Sequence, residues 1–454
     1  MADQNDTQYV RMTQEPVSKL IVSLAIPAIL SMLITSVYNL VDTAFVGELG
    51  TSASGATGVV FGFMSIIQAF GFMFGQGAGS IVSRALGQKD QKRASIHASL
   101  GVTAAFLSGL AIALLCVLQL DRTVYLLGST PTIAPYAKTY ISFILLATPF
   151  MCSSFALNNI LRYEGKAVLG TIGMAVGALL NIVGDFVFMP VLGLGIFGAG
   201  LSTAISEIVG WAILLSMFLR GKTSTKLSLS YLRSSRPLFL ADIAATGFPS
   251  LLRQALNSIA TVLLNGCCAM YGDAAVAGMS IVSRVVFFVF SISLGIGQGF
   301  QPVAAFNYGA GKYKRVKDAF WFTCIISQVV IVIGAIVLFV GAEPIIARFR
   351  DDPAVLDVGV RALRLQVLAS LALPLSVTCE MLYQSCGLRG GATVLSATRN
   401  GLLFIPLLLL LSATRGLAGI QEAQPLSFVL ALPVSIPFIV RFFRRLPTDA
   451  VEPD

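Results

Sequence analysis

Charge is what this sequence has least of. Only 12% of its 454 residues are charged and it holds a single histidine, His97, against 56% hydrophobic residues and a mean hydropathy of +0.83. A soluble chain carries about a quarter charged residues, so a soluble globular protein is excluded. One histidine cannot build a His-based metal site, and no HExxH helix, paired Asp-rich motif or Walker-type phosphate loop occurs, which argues against an intramembrane protease, prenyl transferase or nucleotide hydrolase. The seven cysteines are odd in number and fall mostly inside apolar stretches, with Cys267 beside Cys268. They read as small buried apolar residues and not as a disulfide framework or zinc site. Ten-residue alternating patterns are missing, so a β-barrel is not expected.

What is present is hydrocarbon length. About 12 apolar stretches, each long enough to cross ~30 Å as a helix, recur from end to end. They predict an all-α polytopic membrane protein. The N-terminal MADQNDTQYVRMTQEPVSK is polar, and the apolar run after it is too long for a signal-peptide core. The basic residues concentrate in alternate connections, as in Lys89, Lys92 and Arg93, then Arg220, Lys222 and Lys226, then Lys312, Lys314 and Arg315. The positive-inside rule then places both termini in the cytoplasm. It also accounts for the formal charge of +9 without nucleic acid; the bilayer is the expected partner.

The chain repeats itself. FGQGAGSIVSRALGQKDQKRA and IGQGFQPVAAFNYGAGKYKRV align Gly75, Gln76, Gly77, Gly87, Lys92 and Arg93 with Gly297, Gln298, Gly299, Gly309, Lys314 and Arg315, and the same register pairs Pro27 with Pro249 and Gly50 with Gly272. A register held this far points to duplication. The expected organisation is a tail over 1–19, an N-lobe of six helices over 20–220, a cytoplasmic linker over 221–238, a C-lobe of six helices over 239–445 and a tail over 446–454. Because six is even, the repeats are parallel, related by a pseudo-two-fold axis along the membrane normal. Two such lobes can rock, which is how alternating access works. The glycine-rich tracts serve helix packing, and Pro27 and Pro249 each remove a backbone hydrogen bond and mark a bend.

Two carboxylates sit where hydrocarbon is expected: Asp42 in SVYNLVDTAFVG and Asp185 in LLNIVGDFVFMP. Each lies five residues before the expected outer end of its span, so both sit ~7.5 Å below that end. A charge at mid-bilayer costs ~2.5–3.5 kcal/mol even on the lenient scale, so each acid should face a cavity or a partner. Their own spans offer no cation nearby; the polar groups expected near them are the neutral Asn39, Thr43 and Asn181, with Tyr140 from another span. A proton and a cationic substrate could compete for such a negative cavity, as a proton-coupled transporter requires. Among the other embedded charges, Glu207, Arg253, Arg284, Glu380 and Arg399 are expected to pair structurally. Glu380 is the best C-lobe site, and Arg253 occupies the register of Ser31. His97, at the cytoplasmic start of the third span, is expected at the surface.

These residues resemble the multidrug and toxic compound extrusion (MATE) transporters, in particular the prokaryotic DinF-like branch. The resemblance rests on LVDTAFVG with Asp42, NIVGDFVF with Asn181 and Asp185, the duplicated GQG segments and GFPSLLRQ. It implies a V-shaped bundle of two six-helix lobes that exports varied, often cationic compounds in exchange for H+ or Na+. It implies Asp42 and Asp185 as the coupling acids, with Asn181, Tyr140 and Thr203 as hydrogen-bonding neighbours, Asn158 nearby and Pro27 at the bend of the first helix. The other bacterial branch has an acid on the seventh helix; here that helix presents Arg253, Gln254 and Asn257. The expected protein is therefore a monomeric antiporter for small organic cations, with no cofactor beyond its coupling ion, and not an enzyme. A flippase for a lipid-linked precursor is the alternative, but it would want several arginines where the best cavity markers are acids; an intramembrane enzyme is weaker still.

Overall fold

Helices supply every regular element among the described residues. The computed structural model describes residues 2–233 and 236–447, and excludes the side chains of residues 2–5, 39 and 40. Asn39, residues 234 and 235 of the expected linker and the tail beyond residue 447 thus lie outside the described parts.

In chain order the helices are α1 (Ala2–Gln14), α2 (Val17–Gly47), α3 (Thr51–Gly87), α4 (Gln91–Leu118), α5 (Leu120–Leu126), α6 (Ala134–Tyr163), α7 (Ala167–Phe186), α8 (Gly195–Leu219) and α9 (Leu229–Arg233). Then follow α10 (Pro237–Ala269), α11 (Asp273–Gly309), α12 (Tyr313–Val340), α13 (Ala342–Phe349), α14 (Pro353–Ser370), α15 (Leu373–Ser385), α16 (Arg389–Ala397) and α17 (Phe404–Arg445). Among the described residues nine helical runs are long and apolar enough to cross a bilayer. The last, Arg389–Arg445, is divided by the non-helical Gly416 and provides two spans. The pair α14 and α15, bent by 54°, provides another. α10 is 33 residues long, with its apolar run interrupted by Arg253, Gln254 and Asn257. By length and composition the described residues give nine such spans, or ten with the bent pair; the about 12 that hydropathy predicts are reached by also dividing the last run at Gly416 and counting α10.

The repeat is visible in the element boundaries. The offset that carries Gly75 to Gly297 also carries both ends of α3 onto those of α11, both ends of α4 onto those of α12, and the end of α2 onto that of α10. Positive backbone angles recur in the same register: Gly50 (φ 106°) with Gly272 (φ 90°), and Gly165 (φ 78°) with Gly387 (φ 76°). Left-handed angles of this kind favour glycine, so the duplicated glycines fix duplicated turns. The halves differ where α6 continues past Pro149 while its counterpart breaks into α14 and α15.

The chain divides into two units, each with its own core. One comprises Met1–Gln14 and Leu30–Leu251, the other Glu15–Ile29 and Leu252–Asp454. Each unit therefore takes the first part of a helix whose remainder belongs to the other. Pro27 and Pro249 lie inside α2 and α10, each two residues before the exchange point. In the first unit Gly77 admits α10 so closely that a Cβ there would lie 2.2 Å from Ile243 O. In the second, a Cβ on Gly299, its register mate, would lie 2.6 Å from Ala25 N of α2. The first unit's core centres on α3, α6 and α8, with Ile67, Tyr140, Ile141, Ile144 and Cys152 among its buried members. The second packs Val282, Leu363, Val367, Leu408 and Ile420. None of the seven cysteines is in a disulfide, and five are buried.

One correction arises in the first unit. His97 is 1% exposed and not at the surface. Its Nδ1 meets Arg93 O at 2.8 Å and its ring lies 5.0 Å from that of Phe239, which α10 brings over it. The linker is partly fixed. The buried Glu164 carboxylate accepts from Ser224 N at 2.8 Å, Thr225 N at 3.2 Å and Thr225 Oγ1, while Ser95 Oγ accepts from Lys226 N at 3.1 Å.

Candidate functional site

Residues one helical turn apart share a face, and three such pairs build the polar centre of the first unit. They are Tyr38 with Asp42 on α2, Asn181 with Asp185 on α7, and Thr203 with Glu207 on α8. α6 adds Tyr140, 2% exposed. α7 and α8 approach closely beside Asp185, because a Cβ on Gly184 would fall 2.5 Å from Ser202 Oγ. One residue past Asp185, α7 gives way to a π-helical turn over Val187–Val191 that contains Pro190; such turns recur at functional sites.

Within this centre the Asp42 and Asp185 carboxyls lie beside one another, within electrostatic reach. Asp185 is 0% exposed; neither of its oxygens, nor Oδ1 of Asp42, has a protein donor. Ser202 stands beside Asp185 but donates to Asn181 O at 2.9 Å. Asn181 Nδ2 donates to Thr203 Oγ1 at 3.3 Å, and Thr203 donates to Ala199 O at 3.0 Å. The Tyr140 hydroxyl lies beside Thr203 and within electrostatic reach of both aspartates, and Tyr38 lies within reach of Asp42 and Glu207. No lysine or arginine occurs on α7, on α8 or on α2 beyond Lys19. Lys138 of α6 is engaged with Asp121.

Of the residues singled out from sequence, Asp42, Asp185, Asn181, Tyr140 and Thr203 come together here. Asn158 does not; its amide packs where a Cβ on Gly170 would fall 2.8 Å away, about 22 Å along α7 from Asp185. Sequence reasoning expected Glu207 to pair structurally, although its four-residue spacing from Thr203 could have flagged it for this centre. Arg253 and Glu380 belong to the second unit. There Arg253 Nη1 meets Glu380 Oε1 at 2.9 Å, and Ser396 Oγ donates to the same oxygen at 2.8 Å. The expected structural pairing is present for these two, with Arg399 close to both. Glu207 has no ion pair among the described residues.

The MatE family model matches the chain twice, over residues 27–187 and 249–410, and the two matches start at the register mates Pro27 and Pro249. The chain belongs to the MatE family. MatE proteins are multi-pass membrane transporters of small molecules and not enzymes. Among similar proteins is the Multidrug export protein MepA of Staphylococcus saprophyticus, 26% identical over 98% of this chain and 99% of its own length. A MOP superfamily transporter from Pyrococcus furiosus has the same fold at 23% identity, with a TM-score of 0.89 over 96% of this chain and 97% of that one. An Asp-to-Asn variant of the Vibrio cholerae MATE transporter VcmN is similar at 22% identity and a TM-score of 0.89, covering 94% and 97% of the two chains. The MatE duplication coincides with the internal register read from the sequence.

Proposed function

We propose that this MatE chain is a secondary active exporter of small organic compounds, cations foremost, that takes up H+ or Na+ at Asp42 and Asp185 in exchange and works by alternating access. The observation that carries the reading is the neighbouring pair of carboxyls whose buried oxygens have no protein donor and no cation beside them. Burial without such compensation is costly, so these oxygens suit an exchangeable ion or proton. Tyr140, Asn181 and Thr203 would hold the neighbouring polar positions, and Glu207 would extend the same negative surface along α8. One charge moved through 100 mV supplies ~2.3 kcal/mol, enough to drive export without a nucleotide. The relatives named for multidrug export support a broad substrate class. The protein would act as a monomer in the prokaryotic plasma membrane, with both termini cytoplasmic and no cofactor besides the coupling ion.

The test is efflux of a fluorescent organic cation from proteoliposomes under an imposed pH or sodium gradient, with wild type, Asp42→Asn and Asp185→Asn. Gradient-driven efflux by wild type that falls to the level of empty liposomes in both variants is expected, and the gradient that works names the ion. Undiminished efflux in both variants would move coupling elsewhere, and none in wild type would reopen the flippase alternative.

A further inference from the structure

The second unit holds two cations against one acid. Glu380, 6% exposed, is occupied by Arg253 and Ser396 through the same Oε1. Arg399 adds a second positive charge close to that pair. Its Nε reaches only its neighbour Asn400, at 3.4 Å, and its Nη1 is buried without an acceptor. Its guanidinium lies 5.2 Å from the ring centre of Phe290 and 5.9 Å from that of Phe428. An excess positive charge within a spanning region is expensive, and a guanidinium N–H without an acceptor is an open hydrogen-bonding position. A guanidinium fork matches a carboxylate, and flanking aromatic faces suit a flat apolar body.

We propose that Arg399, flanked by Phe290 and Phe428, is a subsite for the carboxylate of aromatic anionic or zwitterionic substrates. This rests on the export reading and narrows its substrate class: the first unit would serve cationic groups and the second anionic ones. Arg253 is a positioning residue that neutralises Glu380, so that an incoming carboxylate meets a net positive cluster. Asn400 accepts from Arg399 and donates to the exposed Asn257 at 3.1 Å, which orients the π-helical turn Thr398–Leu403 that carries Arg399.

The test is binding to purified wild-type protein of a fluorescent aromatic amino-carboxylate and of its methyl ester, with no gradient. Wild type is expected to bind the acid about tenfold more tightly than the ester, the scale of a charged hydrogen bond. Arg399→Gln should bring the ratio to about one without changing ester affinity, and Arg399→Lys, which keeps the charge but loses the fork, should fall between. Equal affinities in wild type, an unchanged ratio in Arg399→Gln, or equal loss of acid and ester would each overturn the proposal. If Arg399→Gln does not fold, the wild-type ratio and the Arg399→Lys variant decide. Because binding needs no coupling ion, failure of the antiport reading would leave the ratio intact.

Discussion

The two units share one helical plan and place their polar residues at different registers of it. Asp42, Tyr140, Asn181 and Asp185 in the first unit correspond, in the register of the repeat, to Leu264, Ala362, Leu403 and Leu407. Conversely, Arg253, Glu380 and Arg399 correspond to Ser31, Asn158 and Gly177. Ser31 settles for a hydroxyl contact with Thr171 at 2.9 Å, where Arg253 makes an ion pair. Duplication thus preserved the scaffold while the units acquired opposite electrostatics: acids without a cation in one, an acid outnumbered by arginines in the other. Burial alone does not make an intramembrane acid functional; what matters is whether the fold already supplies its partner.

The widest gap between the two regions should appear in stability. Glu380→Ala removes the acid that Arg253 pairs with and that lies near Arg399, and loss of one member of a buried pair costs about 3–5 kcal/mol. Replacing the pair together, Arg253→Met with Glu380→Met, should restore most of that. Asp185→Asn removes no cation's partner and should cost less than about 1 kcal/mol, while abolishing coupled efflux. Reversible unfolding in mixed micelles measures all three. An Asp185→Asn penalty as large as that of Glu380→Ala would make Asp185 a structural acid and erase the contrast.

Much of this was legible because hydrocarbon permits few solutions. Spans must be helices of bilayer length, so hydropathy located them, and one constant register exposed the duplication before any helix boundary was known. Asp42 and Asp185 stood out because a carboxylate in an apolar run has few structural excuses. Neighbours across long sequence separations were not legible. Nothing in the sequence shows Phe239 covering His97, or the first parts of α2 and α10 exchanging units, since hydropathy reads the length of a helix and not what it packs against. Arg399 likewise gained meaning only when Phe290, Phe428 and Glu380 were found around it.

The exchange can be tested at its tightest point. A Cβ on Gly247 would lie 1.7 Å from Met73 O, backbone that cannot turn aside. The register mate of Gly247 is Ala25, so where the first unit has glycine on both facing helices, Gly77 and Gly247, the second keeps only Gly299. Gly247→Ala should therefore destabilise by about 1–3 kcal/mol through overpacking. Gly266→Ala on the same helix, with nothing within 4 Å of the added carbon, serves as the control. Equal stability of the two variants in thermal unfolding would mean that α10 does not pack this closely.

The smallest effect concerns a third buried acid, one that the fold does supply with donors. Glu164 lies outside the spans, and burial pushes its carboxyl above the ordinary value of 4.5, with the hydroxyl and amide donors of Thr225 and Ser224 and nearby Lys166 opposing that shift. Between 4.5 and that higher value the folded chain holds a proton that the unfolded chain has released. Stability must then fall as pH rises through this window and level off above it. Glu164→Gln keeps an acceptor for Thr225 but cannot titrate, so its Tm should lack that decline while matching wild type at the acid end. Parallel Tm profiles from pH 4 to 8 would show that three donors suffice to keep a buried carboxylate ionised. That would sharpen the contrast with Asp185, which is as deeply buried and has none.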